Sequence, residues 1–267
     1  MLEESPSIVH DVSVAAAVGR RALPNRLCTA FTQSLGAQRA ALSWLPRLED
    51  WQLLHATDEP ALQAEAAQFT RADGPSVSAA LGMQPVFVPD LRDYPCRTGP
   101  PLAEELPGTR RVLALPLHAG HTPVGVLCLY YTEHTDVTPT HITYAQRAAS
   151  LALEALLRWR PVHENTGCRR PVWTTSTRAA RWERIHQAAD YVAARDDCAV
   201  AEGLAWLQEV SASDGLSLLD VADTVLQPAR AHHIDESDDA RADASEKASE
   251  VASEEGSSHE RVGGRVA

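Results

Sequence analysis

Two apolar runs in the middle of the chain constrain its fold most strongly. Residues 111–117 and 124–131 consist mainly of aliphatic and aromatic residues, and only residues 118–123, which include a glycine and a proline, separate them. Apolar runs of this length between turn residues are typical of buried strands, and so short a connection pairs them antiparallel. The segment therefore predicts a central β-hairpin on which the rest of the domain packs.

Further strands and helices flank this hairpin. Residues 40–45 and 51–55 are short strand-like runs separated by a turn. Residues 85–90 also have the pattern of a strand, with prolines at its ends, where a missing backbone N–H disturbs strand pairing least. Apolar residues recur at helical spacing before residue 36 and again over 140–159. We therefore predict an α+β fold of five or six mostly antiparallel strands with helices before and after the sheet.

The order of these elements, over about residues 10–158, resembles that of GAF domains. The strand ending Leu115-Pro116-Leu117 and the strand start Gly125-Val126-Leu127 are similar to the paired central strands of that family. Segment 73–91 is similar to the GAF subgroup found ahead of ANTAR modules, in which the position of Ser76 is often cysteine. The resemblance implies a sensor or dimerisation domain with an unidentified small-molecule ligand or none, and we expect no cofactor.

Three shorter helical patterns follow a segment broken by prolines and a glycine. In order, Ile185–Arg195, Glu202–Gln208 and Leu218–Ala222 resemble the three helices of ANTAR modules. Two departures from the ANTAR pattern predict that these helices are less stable than is usual in that family. Gly203 lies inside a helix, where glycine costs roughly 1 kcal/mol relative to alanine, and Ala199 replaces the usual N-cap, whose loss costs on the order of 1 kcal/mol.

ANTAR modules bind structured RNA hairpins and prevent a transcription terminator from forming, so the resemblance implies an antiterminator. RNA loops are recognised by cations that meet phosphates and by flat groups that stack on bases. Residues 196–227 contain seven acidic residues and no arginine or lysine, which confines such a surface to the first helix and the linker before it. We predict RNA contacts from Arg178, Arg181, Trp182, Arg184, Gln187, Tyr191 and Arg195.

Other functions stay open from the sequence. The acidity of the second and third helices favours a sensory or protein-interaction module that has lost RNA contact. A DNA-binding three-helix fold is a third hypothesis, but its recognition helix would carry Asp220 and Asp223 without a basic residue. The chain has no arrangement typical of a catalytic triad, a phosphate-binding glycine loop or a metal site, so we predict no enzyme, no catalytic residue and no metal.

Charge and cysteine content indicate the compartment and the class of partner. A net charge of −12 argues against general attraction to membranes or nucleic acid. The five cysteines form no C-x-x-C pair, which is typical of reduced cytosolic thiols. We expect a cytoplasmic homodimer, coupled through the long helix at 140–159, with no membrane contact. The predicted units are a GAF-like domain at 8–160, a linker at 161–177, an all-α ANTAR-like three-helix domain at 178–228 and a disordered acidic tail at 229–267.

Overall fold

The computed structural model describes residues 7–45, 50–95, 101–132, 135, 137–158 and 176–227. The chain divides into two compact units, Met1–Asp223 and Thr224–Ala267. The predicted acidic tail and all but the last two residues of the predicted linker lie outside the described residues, and the structure is described below for the remainder.

A five-stranded antiparallel sheet lies at the centre of the first unit. Its strands are β1 (Arg39–Trp44), β2 (Gln52–Ala56), β3 (Val86–Val88), β4 (Arg111–Ala119) and β5 (Thr122–Tyr131). They pair in the order β2-β1-β5-β4-β3, and Leu115 lies opposite Leu127 in the long β4–β5 hairpin. Both predicted hairpins, β1–β2 and β4–β5, are confirmed, and so is an antiparallel sheet flanked by helices.

Nine α-helices accompany the sheet in the part of the chain that the structure describes, and residues Leu91–Asp93 form a 3-10 turn. They are α1 (Ser7–Ala17), α2 (Leu23–Leu35), α3 (Glu59–Arg71), α4 (Pro75–Gly82), α5 (Leu102–Glu105), α6 (Pro139–Arg158), α7 (Thr177–Asp196), α8 (Val200–Asp214) and α9 at residues 218–227. None of these described helices is both long and apolar enough to cross a bilayer.

Side chains of the sheet alternate between two layers. Leu113, Leu127 and Leu129 point to one face, where they form a common hydrophobic core with α1, α2 and α6. The next residues along β5, Cys128 and Tyr130, therefore point to the other face, which α3 and α4 cover. Because α3 and α4 carry polar side chains against this second face, the layer between the sheet and these helices contains polar groups. The layer between the sheet and α1, α2 and α6 is hydrophobic.

The helices that follow α6 pack on the edge of this domain. Helix α7 lies against β2 and α3, and α8 packs closely along α7. At their crossing, a Cβ atom added to Gly203 would lie 2.5 Å from the carbonyl oxygen of Ala189. Gly203 therefore allows the two helices to approach, so its effect is not the simple weakening that helix propensity predicts. Ala199 lacks a capping side chain, but Glu202 accepts a hydrogen bond from its backbone N–H.

Candidate functional site

A buried carboxyl group lies between the sheet and helix α3. Glu65 is fully buried and its Oε1 accepts two hydrogen bonds, from the hydroxyl of Tyr130 at 2.6 Å and from the hydroxyl of Ser76 at 3.1 Å. Burial raises the pKa of Glu65 to about 7, because a charged carboxylate loses its hydration there, and the hydrogen bonds from Tyr130 and Ser76 offset only part of that effect. The pKa of this carboxyl group is thus close to neutral pH, at which a carboxyl group in water is fully charged.

Gln68 connects this carboxyl group to the elements around it. Its Nε2 donates to the hydroxyl of Tyr130 at 3.1 Å, and its Oε1 accepts from the backbone N–H of Ser76 at 2.8 Å. The turn into α4 passes directly over Gln68, because a Cβ atom on Gly74 would lie 2.5 Å from its side chain. Gly74 also has a φ of 134°, which favours glycine. The cluster of Glu65, Gln68, Ser76 and Tyr130 ties α3, α4 and β5 together.

Two polar atoms of this region are buried without a hydrogen-bond partner among the described residues: Oε2 of Glu65 and the hydroxyl oxygen of Ser43 on β1. The Ser43 hydroxyl and the Cys128 thiol are nevertheless close enough to favour the charged form of Glu65 slightly. Burial raises the pKa of Cys128, and the nearby carboxylate raises it further. Cys128 is therefore a neutral thiol here, unsuited to nucleophilic chemistry.

A second candidate site is the contact of α7 with the sheet edge. Trp182 is 1% exposed, and its ring centroid lies 5.3 Å from that of Phe69 on α3 and 6.0 Å from that of Trp51, which precedes β2. The indole Nε1 of Trp182 donates to the carbonyl oxygen of Trp51 at 2.9 Å, and a ring nitrogen of His186 lies 2.8 Å from the same oxygen. On α8, Gln208 donates to the carbonyl of Phe69 at 3.2 Å. An aromatic cluster thus holds α7 on the sheet edge.

Charged groups surround that aromatic cluster. Arg181 forms ion pairs with Glu59 at the start of α3 and with Asp220 of α9, the latter at 2.8 Å. Arg184 pairs with Asp223 at 2.5 Å. Close to them, Nη1 of Arg178 donates to the carbonyl of Ala56 at 3.4 Å. Cations of α7 are therefore bound partly by the GAF-like domain and partly by the helix that follows α8.

The structure brings the predicted RNA contacts to two different places. Trp182, Arg178 and Arg181 face the sheet edge and α3, while Gln187 and Tyr191 are exposed. Arg195 is held by Asp196 through two hydrogen bonds of 2.7 Å. With α7 in this position the indole of Trp182 cannot stack on a base. The prediction of RNA contact from these residues stays a prediction.

Sequence reasoning missed the buried carboxyl group, although the pattern contained a signal for it. Glu65 lies between Leu62 and Phe69 at helical spacing, so a charged residue occupies the apolar face of an amphipathic helix. Among the described residues, no group of three or more histidine, cysteine, aspartate or glutamate side chains is placed to hold a metal ion.

Comparison with known proteins identifies the family. The sequence model of the GAF domain matches residues 20–156, which is more than half of the chain, so the chain belongs to the GAF domain family. It therefore carries a sensory domain of the kind found in signal-responsive regulators, in a family whose domains bind small-molecule ligands and dimerise. The GAF part of the resemblance is confirmed. The ANTAR part and the absence of catalysis stay predictions.

Solved structures with a similar fold come from several bacteria. They include the GAF domain of a phosphoenolpyruvate-protein phosphotransferase from Coxiella burnetii, which is 12% identical over 58% of this chain and 94% of that chain, with a TM-score of 0.47. A free methionine-R-sulfoxide reductase from Neisseria meningitidis is 13% identical over 57% of this chain and 87% of that chain, with a TM-score of 0.44. No curated protein matches this chain.

Proposed function

We propose that the protein is a cytoplasmic signal-responsive regulator whose GAF domain controls a C-terminal output element formed by α7, α8 and α9. The observation that carries the proposal is the docking of α7 on the sheet edge, with Trp182 buried against Trp51 and Phe69. An aromatic side chain of this size supplies most of the energy of a small contact. A signal that changes the packing of α3 therefore changes the stability of this contact.

We further propose that the output element binds RNA hairpins in the released state and thereby acts in transcription antitermination. The support is its resemblance to ANTAR modules, together with the arginines and aromatic residues on α7. Docking occupies Arg178, Arg181 and Trp182, which are three of the seven predicted contacts. Release would free Arg178 and Trp182 and would separate Arg181 from Glu59, so RNA affinity should depend on the docking equilibrium.

A sensory or protein-interaction module without RNA binding is the second candidate. It is favoured by the acidic partners that belong to the output element itself. Asp220 and Asp223 of α9 pair with Arg181 and Arg184, and Asp196 pairs with Arg195. These pairs would persist after α7 leaves the GAF domain, and they would compete with phosphates for the same cations.

Binding of a terminator-overlapping RNA hairpin at several salt concentrations separates the two candidates. We expect weak binding by the intact chain and tighter binding by Trp51→Ala, which removes the GAF side of the aromatic cluster and leaves Trp182 on α7, with a salt slope reduced by about one for each of Arg178 and Arg181 that is replaced by alanine. Trp206→Ala is the matched control, because Trp206 is an exposed tryptophan that lies outside this cluster. Absence of RNA binding in both the intact chain and Trp51→Ala would leave the second candidate. Duplex DNA serves as the competing polymer.

We also propose that the protein forms a homodimer through α6 and the adjacent α1. The support is a set of exposed apolar side chains at these two helices: Val14 of α1, Val18 directly after α1, and Leu157 of α6. Replacing Val14 or Leu157 with glutamate should lower the sedimentation coefficient from the value of a dimer to that of a monomer. Leu81→Glu, at an exposed leucine of α4, should leave the value unchanged.

A further inference from the structure

Glu65 is fully buried, and the described residues that surround it carry no positive charge. The groups that face it are the hydroxyls of Ser43, Ser76 and Tyr130 and the thiol of Cys128, and none of these is a cation. Among the described residues, Glu65 takes part in no ion pair. A buried carboxylate without a cationic partner is strongly disfavoured, whereas its neutral form needs only a hydrogen-bond acceptor for the added proton.

An acceptor for that proton is present. The unpartnered Oε2 of Glu65 and the unpartnered hydroxyl oxygen of Ser43 are both buried, and they lie on facing elements, α3 and β1. A proton on Oε2 would let Glu65 donate to Ser43, while Oε1 keeps the hydrogen bonds from Tyr130 and Ser76. Because the Ser43 hydroxyl can also donate to a charged carboxylate, this pair can serve both charge states, and it is the full burial of Glu65 without a cation that favours the neutral acid.

Helix α3, which carries Glu65, also contacts the output element. Phe69 lies one turn after Glu65 on α3, where its ring contacts Trp182 and its carbonyl accepts a hydrogen bond from Gln208 of α8. At the start of α3, Glu59 pairs with Arg181. A charge on Glu65 is stabilised by water, and α3 admits water only by moving from the elements packed on it. Such a movement changes the contacts of Phe69 and Glu59 with α7.

We propose that Glu65 is a proton-binding site, occupied when α7 is docked, and that loss of its proton weakens the contact between α3 and α7. The second half of this statement rests on the proposed function, because it assumes that docking of α7 is reversible. The ligand class is the proton itself, which makes the GAF domain responsive to pH near neutrality.

Other titratable groups near Glu65 keep the same charge state at pH values near neutrality. Burial raises the pKa of the Cys28 thiol on α2, of the Cys128 thiol and of the Tyr130 phenol, and the carboxylate of Glu65 raises all three further, so that they stay neutral. His55 on β2 has its pKa lowered to about 4 by burial and by Arg178, so it is also neutral.

Helices α4, α5, α7 and α8 also pack on α3. Helix α4 contributes only Ser76 to the carboxyl group, α5 carries the exposed Glu104, and α8 contributes the neutral Gln208. From α7, His186 contacts the ring of Phe69, with ring centroids 6.2 Å apart. His186 is therefore the histidine that α7 places at this contact.

Nuclear magnetic resonance of the full-length protein tests both halves of the proposal. Carbon-13 labelling of glutamate side chains follows the carboxyl group of Glu65, identified through its absence in Glu65→Gln. We expect a midpoint near pH 7, well above the ordinary value of 4.5 for glutamate. The indole N–H signal of Trp182, identified through Trp182→Phe, follows docking in the same sample. It should move with the same midpoint in the wild-type protein and be independent of pH in Glu65→Gln.

Two control variants separate the sources of a pH response. His186→Gln removes the histidine at the interface, and Glu209→Gln removes an exposed glutamate of α8; both should keep the response of Trp182. Absence of any glutamate carboxyl signal with a midpoint near pH 7 would overturn the proposal, and this outcome needs no assignment, so it holds even if Glu65→Gln failed to fold. If Glu65 titrates near pH 7 while the Trp182 signal stays constant, the proton site stands and its coupling to α7 is refuted. A Trp182 signal typical of a solvated indole at every pH would refute the docking proposal alone.

Discussion

Replacing Trp182 with alanine tests whether α7 is a releasable element. The side chain is 1% exposed, packs against Trp51 and Phe69, and donates one hydrogen bond. Truncating a buried tryptophan to alanine costs about 3–5 kcal/mol. The carbonyl oxygen of Trp51 retains its contact with His186, so the lost hydrogen bond leaves no unpartnered buried acceptor and adds little. At the lower limit of about 3 kcal/mol, the ratio of docked to released α7 falls by roughly two powers of ten.

Hydrogen exchange measured by mass spectrometry at constant pH resolves where this loss appears. If α7 and α8 dissociate as a unit, their amides should exchange about a hundredfold faster in Trp182→Ala, while the amides of β4 and β5 keep their rates. Trp182→Phe should give an intermediate effect, because it retains an aromatic ring but lacks the N–H donor. Trp206→Ala should change exchange little, since Trp206 is 38% exposed and the guanidinium of Arg195 lies over its ring.

An equal acceleration in the sheet and in α7 would refute this reasoning. It would mean that the aromatic cluster is part of one cooperative core, so that α7 cannot leave without unfolding the GAF domain. The protein would then be a sensor whose last helices are structural, and the proposed RNA function would lose its physical basis.

Three further predictions concern close contacts and the buried carboxyl group. Gly203→Ala should lower the free energy of unfolding by about 1–3 kcal/mol in urea, despite the higher helix propensity of alanine, because the new Cβ would lie 2.5 Å from the carbonyl of Ala189. Gly125→Ala should lower the melting temperature through the same effect between β1 and β5, where the Cβ would lie 2.4 Å from the carbonyl of Ser43. Measured as the difference between the wild-type protein and Glu65→Gln, stability should fall by about 3 kcal/mol as pH rises from 4.5 to about 7, because the folded state binds a proton at Glu65 that the unfolded state has already lost. The difference is needed because His55, whose pKa is lowered to about 4, gives a contribution of opposite sign in both proteins.

The sheet could be predicted from the sequence because its signals are local. The runs that form β4 and β5 are apolar throughout, since both of their faces are covered by helices, and a short connection fixes their pairing. The burial of Glu65 on α3 could not be predicted, because periodicity identifies the apolar face of a helix but not whether a charged residue on it finds polar partners on another element.

The environment of Trp182 shows a different limit. Tryptophan among arginines is a pattern typical of nucleic-acid contact, and the sequence contains no sign that this ring lies against Trp51 and Phe69, more than a hundred residues earlier. Gly203 is a similar case, since helix propensity treats it as a defect and only the distance to Ala189 shows the close approach that requires it. Both are properties of packing between elements distant in sequence.

The free energy of the contact between α7 and the GAF domain is small enough for a bound ligand or proton to change the docking equilibrium. To change docking from 99:1 to 1:99, a ligand or a proton must favour one state by about 5.5 kcal/mol. The contact has one large apolar anchor, Trp182, worth about 3–5 kcal/mol, and a partly exposed ion pair of Arg181 with Glu59, worth roughly 0–1 kcal/mol. Full hydration of the Glu65 carboxyl group would change the free energy by about 3 kcal/mol, so this is the upper limit of what its proton can contribute to docking, and it is below the required difference. A small-molecule ligand that also contacts α3 would supply the remainder, so pH and ligand together would be expected to switch the output element where neither does so alone.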